Sequence, residues 1–99
     1  NAINVIDDIL SLDRLDGIII GPYDLSGSMG LTGQFSHPKF VDALKQVHSA
    51  ARSKKTPMGM HIVQPDPDEL KKMIVEGYQL IAYGTDAVFL YNGAQCPTL

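Results

Sequence analysis

Three short stretches carry polar side chains that could do chemistry, and each follows a run of apolar residues: 21–28, 61–64 and 84–86. The first reads Gly21-Pro22-Tyr23-Asp24-Leu25-Ser26-Gly27-Ser28. It sets one carboxylate and several exposed amides just past an apolar segment. On its own, an aspartate in such a Ser/Gly-rich stretch would simply close an Asx-turn. The second begins with His61, whose imidazole could bind a substrate oxygen or move a proton near neutral pH, although a histidine at a strand end is more often a hydrogen-bonded structural residue. The third ends in Asp86, which is expected to open the last helix. Other ionisable residues have simpler duties. Asp66-Pro67-Asp68-Glu69 resembles a metal cluster only by composition, because Pro67 marks a helix start that Asp66 can cap and whose cap amide Glu69 can reach. His37 precedes Pro38 and is expected to cap or pack, and His48 lies beside an apolar helical stripe.

These residues must be positioned by the elements around them. Ile3, Ile6, Ile9 and Leu10 share one face at helical spacing, so residues 2–12 are expected to be helical. Residues 17–21, Gly-Ile-Ile-Ile-Gly, have no polar alternation and predict a parallel strand covered on both faces. Residues 22–37 show no period and are expected to form a long loop, of the kind that is often functional. A helix over 38–54, with Ser36 or His37 as its cap and Pro38 in its first turn, is marked by Phe40, Val41, Leu44, Val47 and Ala51. A strand at 58–63 follows. The next helix, begun at Asp66, should bury Leu70, Met73 and Ile74 and end at Gly77. A strand at 78–83 and a short apolar segment at 87–91, stopped by Asn92-Gly93, complete an order α-β-α-β-α-β-α. Such alternation implies right-handed crossovers and a parallel sheet, either doubly wound or in a barrel. In both, the loops leaving the strand C-termini build the active site, and all three polar stretches lie there.

At 99 residues and 44% hydrophobic content, the chain has apolar side chains for one modest core. A net charge of -3 offers no basic stripe for a phosphate backbone, so no nucleic-acid partner is expected. There is no long apolar run, so neither a membrane span nor a leader is expected. Cys96 is alone and can form no internal disulfide or cysteine metal cluster, which fits a reducing cytoplasm. The opening at Asn1, without a methionine and already inside a helical pattern, suggests that residues 1–99 are a piece of a longer catalytic domain.

Ile20-Gly21-Pro22-Tyr23-Asp24-Leu25-Ser26 resembles the G-P-x-D-L-S motif of the HpcH/HpaI aldolase/citrate lyase family, within the phosphoenolpyruvate/pyruvate barrel superfamily. The likeness extends over most of the chain. Asp7-Asp8-Ile9-Leu10 and Leu15-Asp16-Gly17 are similar to the family's approach to its sixth strand. Residues 30–38 resemble its loop ending in His-Pro, and Ala82-Tyr83-Gly84-Thr85-Asp86 its A-V-G-V-D end to the eighth strand. The resemblance implies the C-terminal part, about strands 6 to 8, of a (β/α)8 TIM barrel that takes roughly 250 residues when complete. It implies that Asp24 is one of two carboxylate ligands to a divalent cation, Mg2+ or Mn2+. It also implies that Gly21 and the amides near Tyr23 and Asp24 bind the substrate carboxylate. The second ligand, a glutamate, would fall a few residues before Asn1, and the family's catalytic Arg and His on earlier strands still.

The activity implied is that of a class II type aldolase, a carbon-carbon lyase cleaving a 4-hydroxy-2-oxo acid to pyruvate and an aldehyde, in a protein that assembles as a homo-oligomer. The isolated chain is expected to be inactive, with open sheet edges that leave it marginal or associating. A citrate-synthase-like or other C–C bond-forming reaction on the same scaffold, and a non-catalytic small-molecule binding module, stand as the alternatives. Two positions depart from the family pattern. Tyr23 replaces what is often a small residue, and could narrow the pocket mouth, offer a phenol, or pack its ring over the loop. His61 stands where an apolar residue is common, as a candidate for specificity.

Overall fold

The computed structural model describes residues 2–95, and Cys96 lies outside them. A 3-10 turn at Ala2–Val5 leads into α1, Ile6–Leu10, and then come β1 (Ile18–Ile20), α2 (Pro22–Ser28), α3 (Pro38–Lys54), β2 (Met58–Ile62), α4 (Pro67–Val75), β3 (Leu80–Tyr83) and α5 (Asp86–Gly93). The strands are parallel in the order β1-β2-β3, with Ile20 opposite Met60 and His61 opposite Ala82. Sequential neighbours joined through helices are what the alternating pattern demands. None of the described helices is long and apolar enough to cross a membrane.

Alternation divides the sheet into two unlike faces. Ile20, Met58 and Met60 point to one side, where they form the core with Val47, Ala50 and Ala51 of α3 and Leu10 of α1. Ile19, Gly59 and Leu80 share the other side, and there Ile19 is 54% and Leu80 62% exposed. The apolar run at β1 is therefore covered on one face only among the described residues. α1 and α3 both pack on the first side, which leaves the second face of β1 open among the described residues.

Gly59 is where the open face is tightest. A β-carbon there would meet the Leu80 carbonyl oxygen at 2.8 Å and Leu80 Cβ and Ile19 Cγ1 at 3.2 Å. The carbonyl belongs to the paired strand and cannot swing away. Gly59→Ala is accordingly expected to cost the full-length protein about 1–3 kcal/mol through overpacking, read as a lower urea midpoint. An unchanged midpoint would mean that β2 and β3 can separate locally without penalty.

Helix ends follow their local chemistry. His37 is the cap of α3, its Nδ1 accepting from the Lys39 amide at 3.2 Å, with Pro38 next and Lys55 in the left-handed region after the last turn. Asp66 caps α4 by accepting from the Asp68 amide at 2.9 Å, and Gly77 ends it with φ +96°. Four expectations need correction. Residues 2–12 split into a 3-10 turn and one short α-helix, because only Leu10 of that stretch is fully buried and little packing holds a longer helix. Glu69 makes no return bond to the α4 cap, and the side-chain bond at that end is the one from the Asp68 amide to Asp66. Ile74 is 59% exposed, and the stripe of α4 narrows to Leu70 and Met73, both partly buried. The last strand is also shorter than residues 78–83, because Tyr78 turns in toward α3 before the ladder begins.

Candidate functional site

The stretch after β1 is not a loop throughout. Pro22 occupies the first position of α2, Asp24 lies in its first turn, and the first helical bond runs from the Leu25 amide to the Gly21 carbonyl at 2.9 Å. Proline at the start and a carboxylate in the first turn are both helix-start signals, but the glycines and serines downstream hide them. Ser26 explains how so polar a segment holds its shape. It is fully buried, its hydroxyl donating to the Tyr23 carbonyl at 3.1 Å and accepting from the Gly33 amide at 3.1 Å, while its own carbonyl accepts from Leu31. The serine of the motif is thus a staple that folds residues 29–33 back onto α2.

Gly21 remains extended, at φ -93° and ψ 103°, so strand alternation carries over to it and its hydrogen points to the open face with Ile19. The exposed Asp24 carboxylate folds back over that spot, its Oδ2 3.4 Å from where a Gly21 β-carbon would sit. Among the described residues it has no hydrogen-bond or ion-pair partner. Tyr23 leaves in another direction. Its ring meets Phe35 edge-on at 5.1 Å, and Phe35 in turn meets Phe40 at 5.4 Å. The ring packs over the loop, as one of its expected roles required, and its amide stays near Asp24.

His61 stands one strand over from Gly21 on the same open face, since Ile20 pairs with Met60 and His61 with Ala82. Its Nε2 lies 2.9 Å from the carbonyl oxygen of Gly84. A carbonyl can only accept, so Nε2 carries the proton. Gly84 itself has φ +77°, and a side chain there would collide with the Phe89 ring, so the chain can turn at this point only with glycine. Asp86 is the first residue of α5, where Thr85 is the cap, accepting from the Val88 amide at 3.2 Å. Asp24 and His61 are the chemistry-bearing side chains that share this end of the open face. No group of three His, Cys, Asp or Glu among the described residues could hold a metal by itself.

On the opposite, core side, sequence reasoning missed one polar pair. His48 of α3 and Tyr78 are 30 residues apart, yet His48 Nε2 and the Tyr78 hydroxyl lie 2.5 Å apart with their rings edge-on. No local signal could have joined them. Burial holds the imidazole below the ordinary histidine value, partly offset by the Glu76 carboxylate and reinforced by Arg52. Burial, with Glu76 adding to it, pushes the phenol up to about 12. The folded state therefore binds fewer protons than the unfolded one as pH falls below 6.5, and stability is lost there. It also keeps the phenol proton longer, so that contribution is complete below pH 10 and is lost as pH rises toward about 12. Denaturation of the full-length protein should show both limbs, and Tyr78→Phe should remove the alkaline one. An alkaline limb that survives in Tyr78→Phe would place its origin elsewhere.

Residues 1–93 match the family described as HpcH/HpaI aldolase/citrate lyase. The hydroxypyruvate/pyruvate aldolase of Sagittula stellata is 35% identical over 94 residues, covering 95% of this chain and 36% of that protein. The 4-hydroxy-2-oxo-heptane-1,7-dioate aldolase of Klebsiella pneumoniae is 31% identical, covering 95% of this chain and 35% of that protein. Among solved structures, the HpcH/HpaI aldolase from Desulfitobacterium hafniense superposes with a TM-score of 0.82 at 29% identity, over 93% of this chain and 35% of that one. The chain thus spans about a third of the length of the relatives it matches, and its three strands and their helices are part of a (β/α)8 barrel.

Proposed function

This chain belongs to the HpcH/HpaI aldolase/citrate lyase family, and from that premise we propose that it is the C-terminal part of a divalent-metal-dependent aldolase cleaving a 4-hydroxy-2-oxo acid to pyruvate and an aldehyde. The observation that carries this reading is the Asp24 carboxylate, exposed and unpartnered among the described residues, and folded over Gly21 at the C-terminal end of β1. Oxygen donors of this kind suit Mg2+ or Mn2+. Asp24 fits as one ligand, with the second carboxylate and the catalytic Arg and His supplied by the preceding part of the barrel. When bound, such a cation supplies Lewis-acid polarisation of the 2-oxo group.

The chain's own residues prepare the substrate. The amides of Tyr23 and Asp24 precede the first α2 hydrogen bond and have no acceptor within that helix, so they can receive the substrate carboxylate. Gly21 keeps the floor beneath it clear. Cleavage breaks the C3–C4 bond: the C4 hydroxyl gives up its proton as the aldehyde forms, the bonding pair passes into the 2-oxo group as an enolate, and protonation at C3 yields pyruvate. The remainder of the barrel would cover Ile19 and Leu80, and the whole protein is expected to form a homo-oligomer. The full-length protein with Mg2+ or Mn2+ should release pyruvate and aldehyde in equal amounts from a 4-hydroxy-2-oxo acid. Release of neither, with both metals, would contradict the reading.

A further inference from the structure

Helix α2 is seven residues long, too short to hold its shape and direction by its own hydrogen bonds. What it packs against must fix both. Its middle is secured by the buried Ser26 staple and by Leu25, which lies against the core. Its first turn, where Asp24 sits, follows directly on Gly21 and is tied down through the Tyr23 ring. That ring lies over the loop that joins α2 to α3. Gly33, at φ +74°, brings the backbone up to it, with the position of a β-carbon there 3.9 Å from Tyr23 Cε1. Phe35 meets it edge-on at 5.1 Å and passes the contact to Phe40 at 5.4 Å. Phe40 belongs to the first turn of α3 and is 2% exposed, so the chain of rings ends on a fixed point of the core.

Neighbouring side chains leave a helix about 100° apart. A Tyr23 ring held on the loop side therefore sets the next side chain, the Asp24 carboxylate, toward Gly21 and the open face, where it is found. Resting on the aldolase reading above, we infer that Tyr23 is a positioning residue: through Phe35 and Phe40 its ring holds the first turn of α2, and with it the Asp24 carboxylate, in the orientation a metal ligand needs. The contacts run through ring carbons, so the phenol hydroxyl is dispensable. A shift of about 1 Å at a reacting centre costs about 100-fold in rate, and a short helix freed at its first turn can move that far.

The test compares full-length wild type with Tyr23→Phe, Tyr23→Ala, Phe35→Ala and the double alanine variant. Two quantities are read: Mn2+-dependent exchange of the pyruvate methyl hydrogens, and amide hydrogen exchange in the metal-free protein. Tyr23→Ala is expected to slow pyruvate exchange by about 10- to 100-fold, and Phe35→Ala to slow it in the same way although it removes a ring one step farther from Asp24. The double variant should be hardly slower than Tyr23→Ala, because both rings act through one contact. Tyr23→Phe should keep the wild-type rate. In Tyr23→Ala the amides of residues 22–28 should exchange about tenfold faster while those of β2 stay as they were, which separates a freed helix from a protein weakened throughout. Tyr23→Ala at the wild-type rate in either measurement, faster exchange in β2 as well, a Tyr23→Phe as slow as Tyr23→Ala, or alanine effects that multiply would each overturn the inference and leave the aldolase reading intact. A wild type that exchanges no pyruvate hydrogens with Mn2+ contradicts the aldolase reading and the inference together.

Discussion

Replacing Asp24 with alanine in the full-length protein is expected to lower kcat/KM for aldol cleavage by about a thousandfold, which corresponds to about 4 kcal/mol of transition-state stabilisation. Excess Mn2+ should restore part of it, since removing one oxygen ligand weakens metal binding without closing the site. The same substitution should hardly affect folding. Asp24 is exposed and has no hydrogen-bond or ion-pair partner among the described residues, and a carboxylate in the first turn of a helix contributes only about 0.3–1 kcal/mol. The separation of a large kinetic effect from a small stability effect distinguishes a ligand from a structural residue. Unchanged activity would reduce Asp24 to a favourable charge at the start of α2.

The second large effect concerns the 99 residues alone. They are expected to show no measurable aldolase turnover, to bind Mn2+ far more weakly than the full-length protein, and to associate in solution. One carboxylate is a poor site for a cation that takes six or more oxygen ligands. The sheet order leaves β1 and β3 each with an unpaired edge, and such edges recruit other strands. Ile19 and Leu80 on the open face, and Leu90 and Tyr91 on α5, add apolar surface that nothing among the described residues covers. Size-exclusion chromatography with a Mn2+ titration and a pyruvate-release assay checks all three. A monomer that binds Mn2+ at micromolar concentration and turns over substrate would refute the division of the site.

The alternating order of elements was legible because the signals were local: the Ile18-Ile19-Ile20 run, the apolar stripe of α3, and the Asp66-Pro67 and Gly77 boundaries of α4. The placement of Asp24 and His61 at strand ends followed from that order. What covers the second face of β1 was not legible, because an apolar run reveals that a strand wants burial but not what buries it. Helix α2 was hidden by Ser26, Gly27 and Ser28, residues with poor intrinsic helix preference, and it is held by the buried Ser26 staple. Ile74 shows the same limit from the other direction: helical spacing put it on the stripe of α4, but the helix leans on β2 and β3 through Met73 and leaves Ile74 outside. The His48–Tyr78 link and the His61–Gly84 bond join residues 30 and 23 positions apart. Such contacts are set by tertiary packing, which no local pattern encodes.

The account rests on Asp24 holding a divalent cation against a 2-oxo acid, and exchange of the pyruvate methyl hydrogens with deuterium, followed by NMR, tests that step without any aldehyde. Full-length wild type should exchange them only when Mn2+ or Mg2+ is present, and Asp24→Asn, which keeps the shape and removes the charge, should exchange them about a thousandfold more slowly. Exchange by Asp24→Asn at the wild-type rate, or by wild type after the metal has been chelated, would contradict it.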